Sequence, residues 1–502
     1  MTTARNVILG VDIGTSATKV VAADRNGGIR AIAEHGYPLH IEKDQEAVHD
    51  PGEVLHGALA ALRSCARTCA EQGSDVAGLA LGGAMHTLLA LDSAHRPLTP
   101  SLSWADSRAT GEARRLRGEG LGRALHQATG TPVHPMSPLT KLMWFAEHEP
   151  GLAARAAHWC GLKDLALFHL TGRFVTEYSS ASGTGLLSLA NLAWHPAALE
   201  TARVRAEQLP ELVAPTEVLA LSERGAQATG LPAGLPVIAG GADGPLANLG
   251  VGAVLPGMTA LSLGSSGALR VARDAPCVGE GCQVFCYALG DGVWVLGGAI
   301  SNGGLVGEWA ADLVGEDDVA DLMEEAASVP PGAHGLLALP YLLGERAPWW
   351  DPEPRGVLLG LRREHSRAEI IRALAEGVAQ QLALVRDAVV AAGGEVRVVR
   401  ATGGAFRSPL WATLLAAALD TELEMAEDRG GSGLGAALLG WRALGAFDSL
   451  CDVAELVRPR YLVHPDPETA RQMAAARPMV RRVYAALREL SEDCAMLAPI
   501  VE

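Results

Sequence analysis

Two stretches of this chain set a carboxylate among glycines in a pattern suited to a charged ligand. The first is Asp12-Ile-Gly-Thr-Ser-Ala-Thr-Lys19. Asp12 closes an apolar run, and Gly14 opens a turn whose backbone N–H groups can converge on an anion such as a phosphate. Thr15 and Ser16 add hydroxyl donors, and Lys19 adds a positive charge. Asp12 cannot itself meet a phosphate, because like charges repel. Its chemistry is that of a cation ligand, reaching Mg²⁺ through waters because that ion dehydrates reluctantly. A plain Asp-Gly hairpin turn would use the same residues, so the stretch alone does not decide.

The second stretch is Gly240-Gly-Ala-Asp243-Gly244, directly after an apolar run. Moving a phosphoryl group onto a hydroxyl needs a carboxylate beside the acceptor oxygen to take its proton. The C-terminal end of a strand is where α/β sheets bind ligands. An Asp capping a helix begun by Pro245 would look the same. A third turn, Gly264-Ser-Ser-Gly267, echoes the first. With Gly14 set on Gly264, each shows strand, glycine-hydroxyl turn and strand, closing on Asp24 and Asp274. The echo suggests two lobes of like topology, each offering one phosphate-binding turn.

Other chemistries fit less well. No GxxxxGK[ST] occurs, which excludes a P-loop kinase at motif level. Gly431-Ser-Gly433-Leu-Gly435-Ala436 fits a dinucleotide pattern, but no acidic residue follows about 20 positions on, so a glycine-rich helix start accounts for it better. Cys277, Cys282 and Cys286 lack the paired spacing of a zinc site. A net charge of −16 argues against nonspecific nucleic-acid binding. With no signal peptide and no run of ~20 apolar residues, the expectation is a soluble cytoplasmic protein without a membrane span.

The elements that must hold these turns alternate as in an α/β protein. Strands are predicted at Val7–Asp12, Thr18–Asp24, Ile29–Leu39, Val76–Leu81, Thr87–Asp92, Pro236–Gly241, Met258–Leu263 and Ala268–Ala272. Helices are predicted at Pro51–Glu71, Leu410–Leu419, Gly433–Leu444 and from Pro467 onward. Gly230-Leu-Pro-Ala-Gly-Leu-Pro236 reads as the lobe boundary, giving an N-terminal lobe over 1–233 and a C-terminal lobe over 234–502.

Together the motifs resemble the FGGY carbohydrate kinase family. Met136-Ser-Pro-Leu-Thr-Lys-Leu-Met-Trp-Phe-Ala-Glu-His148 satisfies that family's first signature at eight positions: Met136, Pro138, Lys141, Leu142, Trp144, Phe145, Glu147 and His148. Pro340-Tyr-Leu-Leu-Gly-Glu-Arg346 through Arg355-Gly-Val-Leu-Leu-Gly-Leu361 resembles a second family segment, with small departures at Leu374 and Ala375. The resemblance runs from Gly10 to about Gly440. It implies two ribonuclease-H-like lobes of the actin, hexokinase and sugar-kinase type, with a catalytic cleft between them, and ATP as phosphoryl donor. It makes Asp243 the catalytic base and Thr15 and Gly264-Ser265 the two phosphate turns. Gly304, Gly403-Gly404 and Ser408 become the nucleotide wall. It also implies that the chain can form homodimers.

For the acceptor, Met85-His86 and Trp104-Ala-Asp106-Ser-Arg108 offer donors, acceptors and an apolar face to a polyol. A capping His, a turn Asp and a core Trp are the bland alternatives. Glycerol kinases carry Arg-Glu where this chain has Met85-His86, whereas xylulose and gluconate kinases share Met-His. The segments Ala84–Asp92, Leu102–Arg108 and Gly130–Leu139 look like those of gluconokinases in particular. The expected reaction is phosphorylation of D-gluconate at its terminal hydroxyl. Xylulose or another pentulose is the alternative acceptor, and an actin- or chaperone-like ATPase is the alternative from another class. A substrate carboxylate would need a cation, for which Arg108, Lys141, Lys163 and His134 are candidates.

Overall fold

The computed structural model describes residues 6–41, 45–316, 318–427 and 430–495. The chain forms two compact units, one comprising Met1–Pro256, Ala272–Leu296 and Arg429–Arg458, the other Gly257–Val271, Gly297–Asp428 and Pro459–Glu502.

In the first unit, β1 (Asn6–Ile13), β2 (Ala17–Ala23) and β3 (Ile29–Gly36) form an antiparallel meander. Helix α1 (Pro51–Glu71) follows. Asp50 caps it by accepting from Gly52 N–H and Glu53 N–H, and Pro51 takes the first turn, where its missing N–H leaves nothing unsatisfied. Val54, Ala58, Ala61, Leu62, Cys65 and Cys69 recur at helical spacing and are the residues buried against the sheet. Strand β4 (Asp75–Gly83) pairs parallel with β1. Helices α2 (Pro138–His148) and α3 (Leu162–Thr171) lie in the long excursion before β5 (Val218–Ala220) and β6 (Pro236–Ala242). The sheet order is β5-β6-β4-β1-β2-β3, with β6 parallel to β4. Central strands buried on both faces read as continuous apolar runs, as Val7-Ile-Leu9 does.

Helix α4 (Asp243–Gly250) begins two residues before the start expected at Pro245, and Asp243 is its first residue and not its cap. The first unit extends past Gly230–Pro236 because β6 is an inner strand of its sheet.

In the second unit β7 (Met258–Leu263) and β8 (Gly267–Arg273) form a hairpin. Beyond helix α5 (Arg367–Ala391), β9 (Val398–Thr402) and β10 (Leu423–Met425) add in parallel, and β11 (Tyr461–Val463) adds antiparallel. Strands Val293–Ile300 and Phe285–Gly290 extend this sheet beyond β8, and its run β8-β7-β9-β10-β11 repeats the first sheet's plan, a hairpin whose first strand continues into parallel neighbours. The echo between Gly14 and Gly264 therefore reflects equivalent turns.

Helix α6 (Gly431–Ala443) returns to the first unit. Its glycines are contact points. A Cβ on Gly10 would fall 1.9 Å from Gly433 O, and one on Gly435 would fall 1.9 Å from Leu246 O of α4. Bare backbone lets the helix lie directly on β1 and α4, which accounts for the GxGxxA run without a dinucleotide. Among the described residues, no helix is long and apolar enough to cross a membrane.

Candidate active site

The first unit places Asp12 at the C-terminal end of β1, Met85 and His86 just past β4 and Asp243 just past β6, with Trp104, Asp106 and Arg108 on a separate segment after Ser101–Leu102. Asp12 and Lys19 are cross-strand partners in the β1–β2 register, so they share a face of the sheet. Ser432 Oγ, in the first turn of α6, donates to Asp12 Oδ2. The other oxygen, Oδ1, is buried and has no hydrogen-bond partner. Desolvation pushes the Asp12 acid up to about 6. The Ser432 bond opposes this, the nearby Asp243 carboxylate adds to it, and Lys19 opposes it weakly. A buried, unsatisfied carboxylate oxygen beside a second carboxylate suits a cation, so Asp12 fits the metal-holding role expected of it.

Asp243 stands where β6 becomes α4. Its Oδ1 accepts from Gly244 N–H at 2.8 Å and from Met85 N–H at 3.2 Å, tying it to the segment after β4. Behind it lies a buried relay not anticipated from sequence. Lys163 Nζ pairs with Glu177 at 3.1 Å, and Glu177 accepts from Ser179 N–H and Ser180 N–H. Ser179 Oγ then accepts from Ala242 N–H at 3.2 Å, one residue before Asp243. The Lys163 ammonium is held above its ordinary range because Glu177 and Asp164 outweigh its desolvation.

His86 follows Met85 with φ 66°, a left-handed conformation uncommon outside glycine. Its Nδ1 lies 2.8 Å from Gly183 O, so that nitrogen carries a proton and donates. Met85 packs so closely on Gly183 that a Cβ there would lie 2.3 Å from the methionine methyl group. Trp104 Nε1–H donates to Thr15 Oγ1 at 2.9 Å, joining the 101–108 segment to the first phosphate turn, where Gly14 N–H donates to Ala17 O and Ser16 is exposed.

The four candidate cations divide clearly. Lys141 is fully buried, and Lys163 is nearly so, each bonded inside the fold. His134 Nδ1 accepts from Met136 N–H. Arg108 grips Asp106 through Nε at 2.9 Å and Nη2 at 2.8 Å, with its guanidinium 5.0 Å over the Trp144 ring. Asp106 also accepts from Ala47 N–H, so this buried carboxylate ties its own loop to the segment at Ala47.

The second unit gathers the expected nucleotide residues by themselves. Gly304 N–H donates to Gly264 O at 2.7 Å, and Gly303 N–H donates to Ser265 O at 3.0 Å. Cβ atoms on Gly303 and Gly304 would come within 2.6 Å and 2.9 Å of the 264–266 backbone. Gly403, at φ 125°, passes so close to β7 that a Cβ would sit 2.2 Å from Leu263 O. Gly404 opens the short turn ending at Ser408, which precedes the helix Pro409–Leu419. Glu345 buttresses this region. Its carboxylate accepts from Ser301 N–H, Asn302 Nδ2–H and Arg346 N–H, and burial pushes its acid up to about 7.

Ser432, Glu177 and Glu345 were not legible as site residues. Nothing local ties Ser432 to Asp12, and a lone Glu in an apolar stretch gives no signal of its partners. The cysteines at 277, 282 and 286 are free thiols.

Comparison with known proteins shows the family. The model of the FGGY family of carbohydrate kinases, N-terminal domain, matches residues 7–250, and the C-terminal domain model matches residues 259–444. The gluconokinase of Bacillus subtilis (strain 168) is 35% identical over 486 residues, covering 94% of each chain. The xylulose kinase of the same organism is 29% identical over 489 residues, 96% of this chain and 98% of that protein. The crystal structure of gluconate kinase from Lactobacillus acidophilus superposes with a TM-score of 0.91 at 30% identity, over 98% of this chain and 100% of that one. With both halves matched, and two lobes built on the sugar-kinase plan, the chain belongs to the FGGY family of carbohydrate kinases.

Proposed function

We propose that the protein is a gluconokinase, transferring the γ-phosphoryl group of ATP to the terminal hydroxyl of D-gluconate to give 6-phosphogluconate and ADP, in the cytoplasm. The observation that carries the site assignment is the hydrogen bond from Met85 N–H to Asp243 Oδ1, which ties the proposed base to the acceptor-side segment. Gluconate is favoured over xylulose by the higher identity to the gluconokinase, 35% against 29%. Xylulose remains the second acceptor to test, because the Met-His pair is one that xylulose kinases share.

Asp243 would take the proton of the attacking hydroxyl, acting as a general base within hydrogen-bond reach of it. The acceptor would lie against Met85, His86 and Trp104, within 1–233. The Asp106-held Arg108 is the proposed partner for the substrate carboxylate, since its side chain keeps 13% exposure whereas those of Lys141 and Lys163 are enclosed. Donors of Thr15 and Ser16, with Lys19, would bind phosphate oxygens, as would those of Ser265, while Gly14 and Gly264, whose own N–H groups close their turns on Ala17 O and Ser266 O, would let phosphate approach the backbone. Gly304, Gly403, Gly404 and Ser408 would admit the nucleoside, within 234–502. Asp12 would hold a divalent ion, proposed to be Mg²⁺, which when bound supplies positive charge against the transferring group.

Incubation with ATP and D-gluconate should yield a sugar acid phosphorylated at C6, identified by phosphorus–carbon coupling in NMR spectra. ATP consumption without a phosphorylated sugar acid would overturn the assignment.

A further inference from the structure

Lys141 lies in the first turn of α2 with its side chain entirely enclosed, its relative exposure being 0%. Its ammonium donates to His86 O at 2.7 Å and to Ser103 O at 2.6 Å. Those two carbonyls belong to segments that meet briefly as an antiparallel bridge, with Leu88 N–H bonded to Leu102 O at 3.0 Å and Leu102 N–H to Leu88 O at 2.8 Å. Past that bridge the segments part. Ser103 N–H turns away to Ala47 O, and His86 enters its left-handed conformation. The ammonium stands where the ladder stops, joining the two carbonyls that the ladder no longer serves.

An enclosed ammonium is an expensive way to fill space, and an apolar side chain of the same length would pack at less cost. Its N–H donors matter for what they hold. A left-handed non-glycine residue persists only where its surroundings over-determine it. At His86 these are the Lys141 bond to the carbonyl and the Gly183 bond to the ring. The same ammonium fixes Ser103, immediately before Trp104, whose indole reaches Thr15. Being wholly enclosed, Lys141 does not itself touch an acceptor.

We propose that Lys141 is a positioning residue for the acceptor, locking the His86 and Trp104 segments into one fixed arrangement through their backbone carbonyls. The proposal rests on the assignment of Met85, His86 and Trp104 to the acceptor.

The test compares full-length Lys141→Met and Lys141→Gln with wild type in KM for D-gluconate, KM for ATP, kcat and thermal midpoint. Met keeps the aliphatic stem and loses both donors, whereas Gln keeps two N–H donors on a shorter arm. Expected is a rise of ~10- to 10²-fold in gluconate KM for the Met variant, the scale of a small misplacement of bound substrate. ATP KM should stay within about twofold, and Gln should fall between Met and wild type. An unchanged gluconate KM in a folded Met variant would overturn the proposal, as would parallel rises for gluconate and ATP. Failure of both variants to fold would assign Lys141 a structural role and overturn it equally. His86→Ala separates the two layers. If it raises gluconate KM while Lys141→Met does not, only the Lys141 proposal falls. If neither variant does, the acceptor assignment falls.

Discussion

Ser432 donates its hydroxyl hydrogen to Asp12 across 420 positions of sequence. The bond brings the first turn of α6 to the end of β1, and it caps one oxygen of a carboxylate whose other oxygen has no protein partner. It is also the largest influence opposing the desolvation that raises the Asp12 acid to about 6.

Removing that bond should therefore raise the Asp12 acid further. Ser432→Ala is expected to move the acid limb of the kcat/KM profile to higher pH, with the alkaline side unchanged. A pH–rate profile on both proteins checks this, and an unmoved acid limb would separate Ser432 from the titration.

Asp12 also makes a stability prediction. Its folded-state acid lies near 6, above the ordinary 3.8. The native state thus holds the proton more tightly than the unfolded chain does. In metal-free protein this group's contribution to stability falls as pH rises from about 4 to about 6 and stays reduced above that. Asp12→Asn, neutral throughout, should raise the thermal midpoint of metal-free protein at pH 8 but not at pH 4, while turnover falls. Equal midpoint changes at both pH values would contradict the account.

Much of this frame was legible in the chain itself. Pro51–Glu71 was readable because Asp50, Pro51 and the apolar spacing all agree. The hairpin strands were readable because short apolar runs end at glycine-hydroxyl turns. What could not be read was the tertiary fate of charged side chains. Lys141, Lys163 and Arg108 look alike as substrate cations in a sequence. Only packing shows one enclosed between carbonyls, one paired with Glu177 and one gripping Asp106. The glycine-rich run from Gly431 was legible as a helix start but not in what it packs on: Gly10 and Gly435 are bare because backbone meets backbone there, at Gly433 O and Leu246 O.

The difference between the cations can be measured. Arg108→Met should raise KM for gluconate about tenfold or more while changing KM for a neutral pentulose by less, since it removes a charge-assisted contact to a carboxylate. Lys163→Met leaves Glu177 buried without its cation, and the loss should be ~3–5 kcal/mol in stability, read in denaturant melts. Equal effects of Arg108→Met on both acceptors would remove Arg108 as the carboxylate partner. A Lys163→Met protein as stable as wild type would show that the buried pair contributes little.

Asp243→Asn tests the proton-transfer role. Turnover should fall by ~10²-fold or more, the usual size of general-base effects, while ATP still binds. Near-normal turnover would remove Asp243 from proton transfer.

The central claim concerns the acceptor, and kcat/KM measured by ADP release over D-gluconate, D-xylulose, D-ribulose and glycerol tests it most directly. D-gluconate should give the highest value and glycerol the lowest. A higher kcat/KM for D-xylulose or D-ribulose would contradict the assignment and make the protein a pentulose kinase.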